Sequence, residues 1–108
     1  MSQSIQTIQP WLDLATKRLQ AEFDPEKILL FGSWACGEAT RRSDIDLFMV
    51  WESDLGPLDR IGKVLDTLSD APRAVDAIVY TPEELVRCQH RPFIAQVLRE
   101  GKVLYERN

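Results

Sequence analysis

One histidine and two cysteines are all that this 108-residue chain offers for soft metal ligation. A structural zinc site takes four such ligands, and Cys36 and Cys88 lie far apart with no CxxC, so a structural zinc site is not expected. Two separated cysteines make no disulfide framework either, and a reducing cytoplasm is the simpler setting. Long apolar runs are also missing. The longest is five residues, Leu47 to Trp51, against about 20 for a membrane span. The start, Met1-Ser2-Gln3-Ser4, carries no basic side chain and no apolar stretch follows it, unlike a secretory signal. Positive charge is in deficit: 13 Lys and Arg against 17 Asp and Glu leave a net charge of −4. So small an acidic chain is poorly suited to nucleic-acid phosphates and better suited to divalent cations or a basic partner.

What is present is ordinary for a globular chain: 44% hydrophobic and 28% charged residues. No repeat and no Gly/Ser linker divides it, and its length suits one domain, residues 1–108. Ile5, Ile8, Leu12, Ala15 and Leu19 recur at helical spacing. Pro10 lies within that stretch, so the helix either begins there or is kinked; Asp24-Pro25 ends it. Ile28 to Phe31 reads as a buried strand stopped by Gly32, and Ile45 to Trp51 as a second strand. Pro57 opens a helix with Leu58, Ile61, Leu65 and Leu68 on its apolar face, closed by Asp70-Ala71-Pro72. Ala74 to Tyr80 is a third strand. Thr81-Pro82-Glu83-Glu84 is a helix start with capping hydroxyl, proline and glutamate in place. After His90-Arg91-Pro92 a last helix runs from Phe93 to Glu100, with Gly101 placed to cap it, and Lys102 to Tyr105 is a short final strand. The order predicts an α/β (α+β) domain with a small mixed sheet packed with helices.

Four residues carry a chemical pattern: Gly32 and Ser33, then Asp44 and Asp46. Glycine at the end of a strand permits a sharp turn, and Ser33 is placed to cap the short helix that follows. The free N–H groups of such a turn form an anion site. Asp44 and Asp46, at i and i+2 of a strand, point to one face. Paired carboxylates repel unless a cation or proton lies between them, and an oxygen pair with substrate phosphates is what Mg²⁺ takes. Asp76 is a third carboxylate, in an apolar strand where a buried charge needs a partner. If that strand lies beside Ile45–Trp51, the three make a two-metal site for phosphoryl or nucleotidyl transfer.

The stretch from Gly32 to Leu47, Gly-Ser-Trp-Ala-Cys-Gly-Glu-Ala-Thr-Arg-Arg-Ser-Asp-Ile-Asp-Leu, resembles the signature of the DNA polymerase beta-like nucleotidyltransferases. At this size the chain is most similar to the minimal nucleotidyltransferases, which are usually encoded beside a HEPN-domain partner and in many cases form toxin–antitoxin pairs with it. The resemblance implies a single-domain nucleotidyltransferase fold and Mg²⁺-dependent transfer of AMP from ATP to a tyrosine of the HEPN toxin. It places Gly32 and Ser33 on the nucleotide phosphates, Asp44 and Asp46 on both metals, and Asp76 on the metal that activates the acceptor hydroxyl. Cys36 stands where many relatives carry Arg, and a thiol does not replace a guanidinium.

Simpler roles are expected elsewhere. Arg41-Arg42 reads as a solvated loop pair, Glu52 and Asp54 as solubilising residues, and Trp11 and Trp51 as packing. Trp34 reads as coverage or partner packing ahead of stacking on a nucleotide, His90 as a loop residue, and Cys88 as a small packing residue. Leu85, Phe93, Val97 and Leu104 are either core or docking surface. The alternative to catalysis is an antitoxin that neutralises its partner by occlusion. Transfer to a small molecule would need a further substrate-binding domain that 108 residues do not supply.

Overall fold

The computed structural model describes residues 3–107, so the reading of the Met1-Ser2 start lies outside the described residues. Strand β1 (Lys27–Phe31) is central and antiparallel to both neighbours, β2 (Ile45–Val50) and β4 (Lys102–Glu106). Strand β3 (Val75–Tyr80) runs parallel to β2 on its far side, giving the order β3-β2-β1-β4. The mixed sheet expected from the sequence is therefore present. On β4 the register slips between Ile28 and Leu29 of the partner strand, leaving Leu104 as the extra residue of a bulge.

Alternation along the strands sorts two cores. Ile28, Leu30, Ile45, Leu47, Met49 and Val79 face helix α1 (Gln9–Phe23) and helix α3 (Pro57–Thr67), which contribute Leu12, Ala15, Leu19 and Val64. Leu29, Phe48 and Val50 face the other way, against Ile94 and Val97 of helix α5 (Pro92–Glu100). Full burial of one such side chain is worth about 1.5–3 kcal/mol. The second face has less cover, because helix α4 (Pro82–Cys88) and α5 are short. The even-numbered positions of β2 and β3 on that face begin with Asp46 and Asp76.

Local chemistry explains the element ends. A 3₁₀ turn at Ile5–Thr7 precedes α1, which starts at Gln9 with Pro10 in its first turn, so the proline opens the helix and does not kink it. Asp24 closes it in a left-handed conformation, φ 48°. Thr81 and Glu84 form the expected capping box: Glu84 N–H donates to Thr81 Oγ1 at 3.2 Å and Thr81 N–H to Glu84 Oε1 at 3.0 Å.

One expectation is corrected. Leu58 does not join the apolar face of α3; it is 84% exposed. The inward stripe is Arg60, Val64 and Leu68, with Ile61 partly buried, and Leu58 lies about 200° round the helix from Arg60. Gly101 caps α5 as expected, its N–H donating to the Val97 carbonyl at 2.7 Å, with φ −66° in place of a left-handed turn. Glycine is required there by proximity, since a Cβ would sit 2.5 Å from the Val97 carbonyl oxygen.

Arg60 is the one charged side chain buried among the described residues. Its guanidinium donates to the Leu55 carbonyl at 2.8 Å, the Val79 carbonyl at 3.4 Å and Glu84 Oε1 at 2.6 Å. One side chain thus joins α3, β3 and α4. Burial pushes the Glu84 carboxyl up, but the Thr81 N–H and the Arg60 guanidinium outweigh it and hold it below the ordinary range.

Candidate active site

Gly32 follows β1 and turns the chain at φ 73°, ψ −154°, a backbone conformation that side chains resist. Helix α2 (Ser33–Cys36) starts at once, with the N–H groups of Ala35 and Cys36 both donating to the Gly32 carbonyl. Gly32 is therefore the cap residue and Ser33 the first helical position, which corrects the expected capping role of Ser33. Its hydroxyl makes no cap bond and stays available, beside the turn's first N–H groups, which have no intrahelical acceptor.

The chain returns to the sheet through a turn built from its own hydroxyls. Thr40 N–H donates to Ser43 Oγ at 2.9 Å, Arg42 N–H to Thr40 Oγ1 at 3.2 Å, and Ser43 N–H to the Thr40 carbonyl at 3.1 Å. Trp34 holds this turn from below: it is buried, and its Nε1–H donates to the Ser43 carbonyl at 3.2 Å. Trp34 is thus a core residue and stacks on no nucleotide. Asp44 follows the turn as an exposed residue immediately before β2, which begins at Ile45 as expected.

Strand pairing then assembles the carboxylates. Asp46 pairs in register with Phe31 of β1 and with Asp76 of β3. Asp76 is exposed at the open end of β3, so the expectation of a charge buried in mid-strand is corrected: the site is solvated at its rim. Asp46 is the half-buried member. Its carboxyl is pushed up to about 6, first by burial, then by the negative charges of Asp76 and Asp44. A Cβ on Gly32 would overlap the Asp46 carboxylate oxygen, so only glycine lets the turn and the carboxylate touch.

Among the described residues, no three His, Cys, Asp or Glu side chains already stand at metal-ligating spacing. The donor set nevertheless fits a hard divalent cation. It is all oxygen, Asp76 and Asp44 disfavour the ionisation of Asp46, and substrate phosphate oxygens are the usual further ligands of Mg²⁺.

Beside Asp46 lies a cleft of about 310 Å³ lined by Phe31, Gly32, Ala35, Cys36, Phe93, Gln96, Val97 and Glu100. The exposed Cys36 thiol donates to the Gly32 carbonyl at 3.3 Å. Sequence reasoning did not connect α5 to this site. The signal available was the stripe Phe93, Gln96, Val97, Glu100 at i, i+3, i+4 and i+7, which shows a shared face but not what the face meets. Of the four residues left between core and docking surface, Val97 is core, Phe93 is 53% exposed, and Leu85 and Leu104 are half-buried. Arg41 and Arg42 are exposed in the loop before Asp44, His90 is an exposed loop residue, and Cys88 is half-buried.

The comparisons with known proteins agree with this geometry. The family model described as polymerase beta, nucleotidyltransferase matches residues 15–108. A protein named as a protein adenylyltransferase from Methanocaldococcus jannaschii is 37% identical over 81 residues, covering 74% of this chain and 78% of that one. A crystal structure described as a nucleotidyltransferase of Sulfolobus solfataricus aligns with a TM-score of 0.66 at 21% identity, over 99% of this chain and 91% of that one. A chain of the MntA–HpeT toxin–antitoxin pair aligns with a TM-score of 0.61 at 26% identity, over 89% and 72% of the two chains. A toxin–antitoxin structure with AMP-PNP aligns at 0.55 and 25% identity, over 89% and 74%. The chain, with its turn, its carboxylates and its four-stranded mixed sheet, belongs to the polymerase beta nucleotidyltransferase family as one of the minimal nucleotidyltransferases.

Proposed function

We propose that this chain is a Mg²⁺-dependent protein adenylyltransferase, the antitoxin of a toxin–antitoxin pair, which transfers AMP from ATP to a tyrosine hydroxyl of a HEPN-domain partner in the cytoplasm. The observation that carries the chemistry is the contact of the Gly32 turn with Asp46, itself paired with Asp76 and next to Asp44. A phosphate-binding turn against a carboxylate cluster is the arrangement nucleotidyl transfer requires. The choice of a protein as acceptor, and of ATP as donor, is supported by the adenylyltransferase relative and by the toxin–antitoxin structure with AMP-PNP.

In this reading residues 1–108 act as one domain. The Gly32 turn and the Ser33 hydroxyl hold the phosphates, and Asp44, Asp46 and Asp76 hold Mg²⁺. When bound, Mg²⁺ would neutralise the clustered charge, lower the pKa of the acceptor hydroxyl and stabilise the leaving pyrophosphate. The acceptor oxygen forms a bond to the α-phosphorus as the bond from that phosphorus to the α,β-bridging oxygen breaks. Pyrophosphate leaves, and the hydroxyl proton passes to the carboxylate side of the site.

The test is the intact mass of the HEPN-domain protein encoded beside this chain after incubation with it, ATP and Mg²⁺. Gain in AMP increments is expected with the wild type and not with Asp46→Asn, and peptide mapping should place the adduct on tyrosine. Unchanged mass with toxicity still blocked would mean that the partner is neutralised by occlusion.

A further inference from the structure

The cleft between α2 and α5 is a second half of the site, which meets the carboxylates only at Asp46. Its floor is the C-terminal end of β1 and its walls are Ala35 and Cys36 on one side and the stripe Phe93, Gln96, Val97, Glu100 on the other. Its volume, about 310 Å³, is at the lower end of the range for small-molecule sites, roughly 300–1,000 Å³. Three observations limit what it takes. No lysine or arginine lines it, while Asp46 and Glu100 do, so phosphate is not its occupant. Phe93 is half-exposed, lines the cleft and meets Phe31 in a T-shaped pair, with centroids 5.9 Å apart and planes at 79°, a contact that takes at most one face of the Phe93 ring and leaves the other for a flat group. The cleft is also continuous with the Gly32 turn, since Gly32, Ala35 and Cys36 line it, so its occupant extends from the phosphates themselves.

The geometry points to the adenosine half of the nucleotide in this cleft, with Phe93 stacking on the base, Gln96 pairing with its edge and Glu100 accepting from a ribose hydroxyl. A glutamine amide matches the donor–acceptor pair on adenine, and a carboxylate suits a ribose hydroxyl. The acceptor side chain is the poorer fit, because its hydroxyl has to reach the carboxylates and leaves Gln96 and Glu100 without a role. This assignment rests on the nucleotidyl-transfer reading above and adds the residues that select the nucleotide.

Titration calorimetry with AMP-PNP, GMP-PNP and inorganic tripolyphosphate, each with Mg²⁺, tests it without turnover. The wild type should bind AMP-PNP more tightly than GMP-PNP. Phe93→Ala should weaken AMP-PNP about 10-fold, the scale of one base–aromatic stack, and leave tripolyphosphate unchanged. Phe93→Trp should restore binding, and Gln96→Ala should erase most of the preference for AMP-PNP. A melting temperature of Phe93→Ala within a few degrees of wild type would show that the fold is intact, as expected for a half-exposed side chain. Wild-type affinity for AMP-PNP in both Phe93→Ala and Gln96→Ala would overturn the assignment and leave the transfer reading standing. Unchanged AMP-PNP affinity with a raised KM for the acceptor protein would overturn it in favour of the acceptor side chain. No binding of any of the three ligands by the wild type would remove the nucleotide reading itself.

Discussion

Asp46 carries a carboxyl raised to about 6, from an ordinary 3.8, by burial and by its neighbours Asp76 and Asp44. A carboxyl raised in the fold holds its proton more tightly there than in the unfolded chain. Ionised Asp46 therefore destabilises the metal-free fold as pH rises from about 4, and the whole cost is present above about 6. Asp46→Asn keeps the shape and removes the charge. Because the group is half-exposed and partly screened, the gain is expected to be about 1 kcal/mol at pH 7. Thermal melts in chelator should show the variant several degrees above wild type at pH 7, with the gap closing near pH 4, while AMP transfer is lost. Gly32 and Ser33 show how far single residues could be read in advance. The turn followed from the glycine, but the contact of Asp46 with Gly32 depends on strand register, which no local pattern supplies.

At the scale of elements, α3 and α4 are joined through one side chain. Removing one partner of a buried ion pair leaves an uncompensated charge, at a cost of about 3–5 kcal/mol. Arg60 is the buried partner and Glu84 is 26% exposed, so Glu84→Gln, which strands the guanidinium, is expected to approach that cost in denaturant unfolding, while Arg60→Ala leaves a carboxylate that water reaches and two carbonyls unpaired, at about 1–3 kcal/mol. Arg60→Met with Glu84→Met should recover most of the loss, since an apolar pair of similar volume leaves no orphaned charge. The order of elements was legible because the sequence marks their ends: Pro10, Asp24-Pro25, Pro57, the Thr81–Glu84 box and Pro92 all lie where the elements start or stop. The phase of α3 was not legible. Leu58 matched the apolar spacing and Arg60 did not, yet Arg60 is the residue turned inward, because carbonyls and a carboxylate from three other places accept from its two terminal nitrogens. Such partners are 5, 19 and 24 residues away, beyond any helical repeat.

If the three carboxylates hold Mg²⁺ as proposed, cation binding and folding are linked for the molecule as a whole. A ligand that binds only the native state at ten times its Kd stabilises by about 1.4 kcal/mol. Mg²⁺ should therefore raise the melting temperature of the wild type at pH 7, and raise it much less in Asp46→Asn or at pH 5, where protons compete for Asp46. An equal rise in the variant would place the cation elsewhere. The three carboxylates were legible in the sequence as residue types and spacings, and strand pairing brings two of them together in register. What the sequence left open is their environment: exposed for Asp44 and Asp76, half-buried for Asp46.

The bulge at Leu104 bears on how this protein meets others. An unbroken outer strand invites a neighbour to extend the sheet, and a bulge on an edge strand with charged ends discourages that. β4 has both features, an extra residue at its centre and Lys102 and Glu106 at its ends. Growth by strand addition is disfavoured on that side; the other outer strand is β3, whose open end carries the exposed Asp76.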